Sequence, residues 1–295
     1  MSAGGFAEHV TVDRPGGRVV HAWRRPGTTR PVLAVHGLSS TSRLWTWVLA
    51  AAPDLDLVAA DLSGRGLSTP RPDTSTLAGH VADQVAVLDA LGLHEPVDVV
   101  GMSLGGFVAV QLAAAAPGRV RSLTLLDGGL PMARRPTSRE QLAAAFADRT
   151  ARLDTDWPDL AAYTAFVVGQ TAPLLDPADP HLATCLAHDL ERGRDGGRVR
   201  LDGRALVDDA ADTFLTGTAA DALARLSVPA RLLHAEWSTG AGSLPAYTAG
   251  EVAGAVAASG GLLAAEPLPG HDHAGVVMSD SGAAASVAVL RRSLA

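Results

Sequence analysis

Two stretches near the start of the chain, "EHVTVD" and "GRVVHAW", alternate apolar and polar positions around the turn signal "RPGG". A period of two over such short segments predicts an antiparallel hairpin. Beyond residue 30 the pattern changes to short continuous apolar runs: "PVLAVHG", "LDLVAADL", "PVDVVGMS", "VRSLTLLDGG", "PARLLHAE" and "GGLLAAEPLPG". Each is bounded by Gly, Pro or a polar residue, as suits strands covered on both faces in a parallel sheet. Helical stretches separate several of them. In "TSTLAGHVADQVAVLDALGL" (74–93) the apolar positions 77, 81, 85 and 88 share one face, with Asp73 or Thr74 as a candidate N-cap and Gly92 as a stop.

Alternating strand and helix predicts an α/β fold with a doubly wound, mostly parallel sheet. The alternation breaks once. From Pro131 to Leu226 no segment reads as a strand, and Ala-rich helical pieces such as "SREQLAAAFADRTARL" and "ADPHLATCLAHDLERG" are punctuated by Pro and Gly. The strand pattern resumes at Ala230, and a last helix follows near residues 282–294. We therefore expect residues 1–130 and 227–295 to form one core, with 131–226 a helical insertion between two of its strands, the alternative being a self-standing helical domain.

Composition narrows the function classes. The 295 residues carry a formal charge of −7 with no block of like charge, and the dispersed arginines argue against a nucleic-acid groove or an anionic-membrane patch. Every basic residue is Arg, and Lys, Asn and Ile are absent. No apolar run reaches the roughly 18 residues of a membrane span, and no basic start leads into an apolar segment, so a soluble, cytoplasmic protein is expected. Cys185 is the only cysteine, which leaves no internal disulfide and reads as a small apolar filler. The oligomeric state has no signature in the sequence.

The chemistry begins at "VVGMSLGGF" (99–107), where Gly101-Met102-Ser103-Leu104-Gly105 fits the G-x-S-x-G nucleophile elbow. Strand, tight turn and helix are the context that the motif requires. Its glycines keep side chains clear of a nucleophile on a strained turn, and the helix start below supplies free N–H groups. The bland alternative is a serine that merely caps a helix. "VHGLSS" places His36-Gly37-Leu38 after an early strand, where the N–H of Leu38 can face an oxyanion beside that of Leu104. His36, and Asp61 and Arg65 of "DLSGRGLS", read as structural, and His234, within a strand, as a wall residue.

Taken in order, "HGLSS", "DLSGRGLS", "GMSLGG", "LLDGG" and "GHDH" resemble the α/β-hydrolase superfamily over nearly all of the chain outside the insertion. The resemblance implies that the insertion is a cap over the pocket, and that a Ser rather than an Asp nucleophile attacks a carbonyl. It covers esterases, lipases, C–C bond hydrolases, cofactor-free haloperoxidases and hormone receptors alike. Hydroxynitrile lyases of the superfamily need a pocket lysine, which this chain lacks. The base is expected in "LPGHDHAGVVMSD", where the family register favours His273 over His271. The usual acid after the penultimate strand is missing from "LLHAEWSTGAGS", leaving Asp127 at the end of "SLTLLDGG", or else Glu236.

The expected activity is hydrolysis of an ester-like carbonyl in a small, mostly apolar substrate through an acyl-enzyme at Ser103. No cofactor or metal is called for, since "HDH" has no visible third ligand. A C–C hydrolase, a lactonase, or a non-enzymatic small-molecule receptor on the same fold are the alternatives.

Overall fold

In the computed structural model, which describes residues 5–171, 174–193 and 196–294, the alternating segments pair as their period dictates. Strands β1 (Glu8–Arg14) and β2 (Arg18–Arg25) form an antiparallel hairpin. There follow β3 (Pro31–Val35), α1 (Thr46–Ala51), β4 (Asp56–Ala60), α2 (Leu77–Ala90), β5 (Val97–Met102), α3 (Leu104–Ala115) and β6 (Val120–Leu126). Helix α2 starts later than the sequence suggested. Its N-cap is Thr76, whose hydroxyl accepts from the Gly79 N–H at 3.1 Å, rather than Asp73 or Thr74, while Gly92 does close it at φ 68°.

Between β6 and the next core strand the chain forms α4 (Arg139–Ala145), α5 (Ala147–Ala151), α6 (Leu160–Thr171) and α7 (Pro180–Asp189). Strands β7 (Leu190–Gly193) and β8 (Gly196–Val199), then α8 (Gly203–Leu215) and α9 (Thr218–Ala224), complete the segment. The β7–β8 hairpin corrects the expectation of a strand-free insertion. Its arms, "LERG" and "GGRV", are too short, charged and Gly-rich to carry a strand pattern, and they are held by mutual pairing, by Gly197 bridging to Trp157, and by the burial of Leu190 and Val199. The chain then returns through β9 (Ala230–Trp237), α10 (Ala249–Ala258), β10 (Leu263–Asp272) and α11 (Asp280–Leu294).

The main sheet has eight strands in the order β1-β2-β4-β3-β5-β6-β9-β10, antiparallel at the β1, β2 and β4 pairings and parallel from β4 to β10. Successive strand residues feed opposite faces. Leu33, Val99, Leu123 and Leu232 pack with α2, α3, α9 and α10, whereas Val32, Val100, Leu126 and Leu233 pack with α1 and α11. Strand order runs outward in both directions from β3 and β5, so the crevice beyond their carboxyl ends lies at a topological switch point, where open α/β sheets bind ligands.

The insertion has two further apolar clusters. One gathers Trp157, Tyr163, Leu182, Leu186 and the buried Cys185 around Trp47 of α1. The other sets Leu142, Phe146 and Leu206 against the side chain of Leu38. Burial pushes the Cys185 thiol well up. Among the described residues no helix is long and apolar enough to cross a membrane.

Candidate active site

Ser103 stands between the end of β5 and the first residue of α3 at φ 55°, ψ −120°, a conformation that side-chain-bearing residues rarely adopt. Glycines make the turn possible by close approach. A Cβ on Gly105 would lie 1.9 Å from the Val35 carbonyl oxygen, and one on Gly128 would lie 2.2 Å from that of Ser103. The turn is held by the Ser103 N–H donating to Leu126 O at 3.0 Å. Ser103 occupies the N-cap position of α3, yet its hydroxyl makes no capping hydrogen bond. The bland reading of a capping serine thus has no contact to support it, and the residue stands at the positive end of a helix.

Asp127 follows the neighbouring strand, also at a positive φ of 44°, and is 3 % exposed. Its backbone N–H donates to Leu233 O at 2.8 Å and its Oδ1 accepts from the Ala235 N–H at 3.0 Å, so both ends of the residue are tied to β9. Oδ2 is left to face His273, whose Nδ1 lies 2.6 Å away. A carboxylate only accepts, so the ring donates through Nδ1 and its Nε2 carries the lone pair.

The loop carrying His273 is anchored by its neighbour Asp272, 1 % exposed, which accepts from the Gly275 N–H at 2.8 Å and the Gly240 N–H at 3.0 Å. Sequence reasoning missed this anchor, because the acid between two histidines drew notice only as part of "HDH". The rival candidates are occupied elsewhere. His271 meets Pro269 O at 2.9 Å and Ser281 Oγ at 2.8 Å, and exposed Glu236 accepts from the Gly270 N–H at 2.7 Å. Among the described residues no three His, Cys, Asp or Glu side chains converge as a metal set would.

Opposite the elbow, β3 ends in the loop of His36, Gly37 and Leu38. A Cβ on Gly37 would lie 3.3 Å from that of Ser103, which measures how near the loop passes. His36 is fully buried. Its Nε2 accepts from the Leu62 N–H at 2.9 Å, so Nδ1 carries the proton and donates to Gly37 O at 2.8 Å. Burial drives the imidazole down to about 4, against the pull of Asp61, so the ring is neutral near pH 7. A trans peptide points its C=O and N–H in opposite directions. Anchoring the Gly37 carbonyl on His36 therefore turns the Leu38 N–H away from it.

Asp61 and Arg65, which read as structural in the sequence, are both buried and bonded to partners out of that reading's reach. Asp61 Oδ1 accepts from the Ser42 N–H at 2.8 Å, and Oδ2 accepts from the Leu67 N–H and meets His188 Nε2, each at 2.9 Å. Burial alone would raise this carboxyl, but the bond to His188 and its charge hold it near 2. At the last residue of α7, burial pushes Asp189 up to about 6 in spite of Arg152. His234 lies half-buried in β9, its pKa lowered by desolvation.

Known proteins agree with this architecture. Residues 30–171 match the model of the alpha/beta hydrolase fold. Lipase LipV of Mycobacterium tuberculosis is 41 % identical over 106 residues, which are 35 % of this chain and 40 % of that protein. This chain spans well under half the length of the curated relatives it matches. Among solved structures, an E-2-(acetamidomethylene)succinate hydrolase superposes with a TM-score of 0.78 at 19 % identity, covering 97 % of this chain and 100 % of its own. An M. tuberculosis esterase does so with a TM-score of 0.72 at 24 % identity, covering 98 % and 92 %. Sheet order, elbow, strand-end loops and these matches agree, and the chain has the α/β-hydrolase fold.

Proposed function

We propose that the protein is a serine hydrolase that cleaves an ester-like carbonyl substrate. The observation that carries this reading is the uncapped Ser103 hydroxyl at a strained turn after β5, next to the end of β6, from which Asp127 meets His273 Nδ1 and leaves Nε2 as the ring's acceptor. His273 Nε2 takes the proton as Ser103 Oγ attacks, and Asp127 fixes the ring and offsets the imidazolium charge. The N–H groups of Leu38 and Leu104 receive the oxyanion. Collapse returns the proton to the departing alcohol, and a water activated by the same ring then releases the acid. No cofactor enters these steps.

Residues 131–226 serve as the cap. The acyl side is apolar, in keeping with Leu38 packed beneath Leu142 and Phe146 and with Phe107 edge-on to Phe214 at 6.3 Å. That environment, together with the likeness to a lipase, favours a small, mostly apolar ester. Two measurements test the reading: turnover of short p-nitrophenyl esters, and fluorophosphonate labelling followed by peptide mapping. Turnover that ceases in Ser103→Ala, with the label on Ser103, is expected. Labelling elsewhere, or an active Ser103→Ala, overturns it.

A further inference from the structure

An oxyanion donor works only if its N–H is held where charge will develop, and the loop that carries Leu38 has no helix or sheet ladder to hold it. Three successive carbonyls of that loop are fixed instead by side chains. Gly37 O accepts from His36 Nδ1 at 2.8 Å, Leu38 O from Arg65 Nε at 3.0 Å, and Ser39 O from Arg152 Nη2 at 2.9 Å. Peptide planes are rigid, so pinning the carbonyl on either side of Leu38 fixes its two backbone dihedrals and the aim of its N–H.

Only the first of these anchors belongs wholly to the core. Arg152 is part of the insertion. Arg65 lies on the loop after β4 but is held from above: its Nη1 sits 2.6 Å from Asp209 Oδ2, on α8, and donates to Ser63 O at 2.9 Å. Arg65 is 1 % exposed and Asp209 fully buried, with His80 Nε2 on the same carboxylate oxygen at 2.8 Å. Burial would raise Asp209, but His80 and Arg65 hold it at about 2, so it remains an anion at any working pH. Backbone bonds stitch the same loop to the insertion, Gly66 N–H to Arg200 O at 2.9 Å and Asp202 N–H to Gly64 O at 2.8 Å.

We infer that Arg65 is a positioning residue of the oxyanion hole and that the insertion's Asp209 keeps it in place, so that docking of the cap sets the aim of the Leu38 N–H. This rests on reading Leu38 as an oxyanion donor. Arg65 uses two different nitrogens of one fork, Nε for the loop and Nη1 for the cap. A lysine could keep the charge pair but could not span both. The interaction is made to a transition-state charge, so its loss falls on kcat rather than KM.

The test compares Arg65→Lys and Asp209→Asn with the parent chain, using kcat and KM on p-nitrophenyl butyrate and the inhibition constant of a trifluoromethyl ketone whose adduct carries the oxyanion. In both variants kcat is expected to fall about 10- to 100-fold with KM within about threefold, and the ketone to weaken by a similar factor, because a misaimed donor loses part of the roughly 10²–10³ that one donor supplies. Circular-dichroism melting confirms the fold. Should Asp209→Asn fail to fold, Arg65→Lys and Arg152→Gln carry the test, the latter releasing Ser39 O alone with a smaller drop in kcat. Full kcat and ketone affinity in Arg65→Lys overturns the inference, since a purely structural ion pair would be rescued by lysine, and so does a rise in KM at constant kcat. Failure of the underlying reading is separate: there, the parent itself gives no ester turnover or retains it after Ser103→Ala.

Discussion

The sheet core and the seam between core and insertion differ in the contacts that hold them. Around the sheet, Leu33, Val99, Leu123 and Leu232 on one face and Val32, Val100, Leu126 and Leu233 on the other are buried among aliphatic neighbours. Across the seam the apolar contacts of Trp47 and Leu38 with the insertion are joined by directional ones: Arg65 with Asp209, His188 with Asp61, Arg152 with Ser39 O, and Trp47 Nε1 with Asp179 Oδ2 at 2.6 Å. Apolar packing is tolerant of direction, whereas a buried ion pair works in one geometry and is costly elsewhere. The core therefore supplies stability and the seam supplies registration, and the two should respond differently to substitution.

The largest effects are expected where the chemistry is. If Ser103, Asp127 and His273 act as the proposed triad, Ser103→Ala and His273→Ala should each lower ester turnover by about 10⁴-fold or more with the melting temperature nearly unchanged, because such groups fail as a unit. Next comes Asp127→Asn. Its amide can still accept from the Ala235 N–H, but it offers His273 Nδ1 a donor, imposes the wrong tautomer, and should cut kcat by about 10³- to 10⁴-fold. Retained activity in that variant would falsify the assignment of the acid.

Core truncation should reverse the pattern. Leu123→Ala, at a fully buried position, is expected to cost about 2–5 kcal/mol in urea denaturation while the folded fraction keeps its kcat. A pH experiment separates the two regions by sign. His36, in the core, is lowered from 6.5 to about 4, so the stability it contributes is present above pH 6.5 and is lost as pH falls toward 4, about 3 kcal/mol in all. Asp189, in the insertion, is raised from 3.8 to about 6, so its contribution is present below pH 3.8 and is lost as pH rises through 6, again about 3 kcal/mol. The two oppose each other over the same window. Urea midpoints at pH 7 and 4.5 should show Asp189→Asn losing more stability on acidification than the parent, and His36→Gln losing less.

The smallest effect is expected at the rejected candidates. Glu236→Gln and His271→Gln keep their surface hydrogen-bonding capacity and should leave kcat within about twofold of the parent. A large loss in Glu236→Gln would move the acid to β9.

Strands buried on both faces announce themselves as apolar runs, so β3, β4, β5, β6 and β9 could be read in the sequence, and the half-exposed edge strand β10 was read as a run that ends two residues short of Asp272. The elbow and the candidates Ser103, Asp127 and His273 were legible for the same reason, because each follows a recognisable strand end. Choosing Asp127 over Glu236 was harder. What distinguishes them is which carboxylate the β9 backbone turns toward the His273 loop, and that is a tertiary fact. The seam left no trace at all. Arg65 and Asp209 are far apart in the chain, and "VDDAAD" reads as the solvated face of an ordinary amphipathic helix until α8 is seen lying over Arg65.

The one cysteine of the chain lies 3 % exposed among Tyr163, Leu182 and Leu186, with its thiol held well above the ordinary range. Such a thiol is slow toward alkylating reagents, because the thiolate is the reactive form. The protein is thus a silent background for site-directed spectroscopy. A cysteine introduced at exposed Ala144 on α4 would be the one fast-reacting site, and a spin label or fluorophore placed there would report the position of the insertion without any prior removal of native thiols.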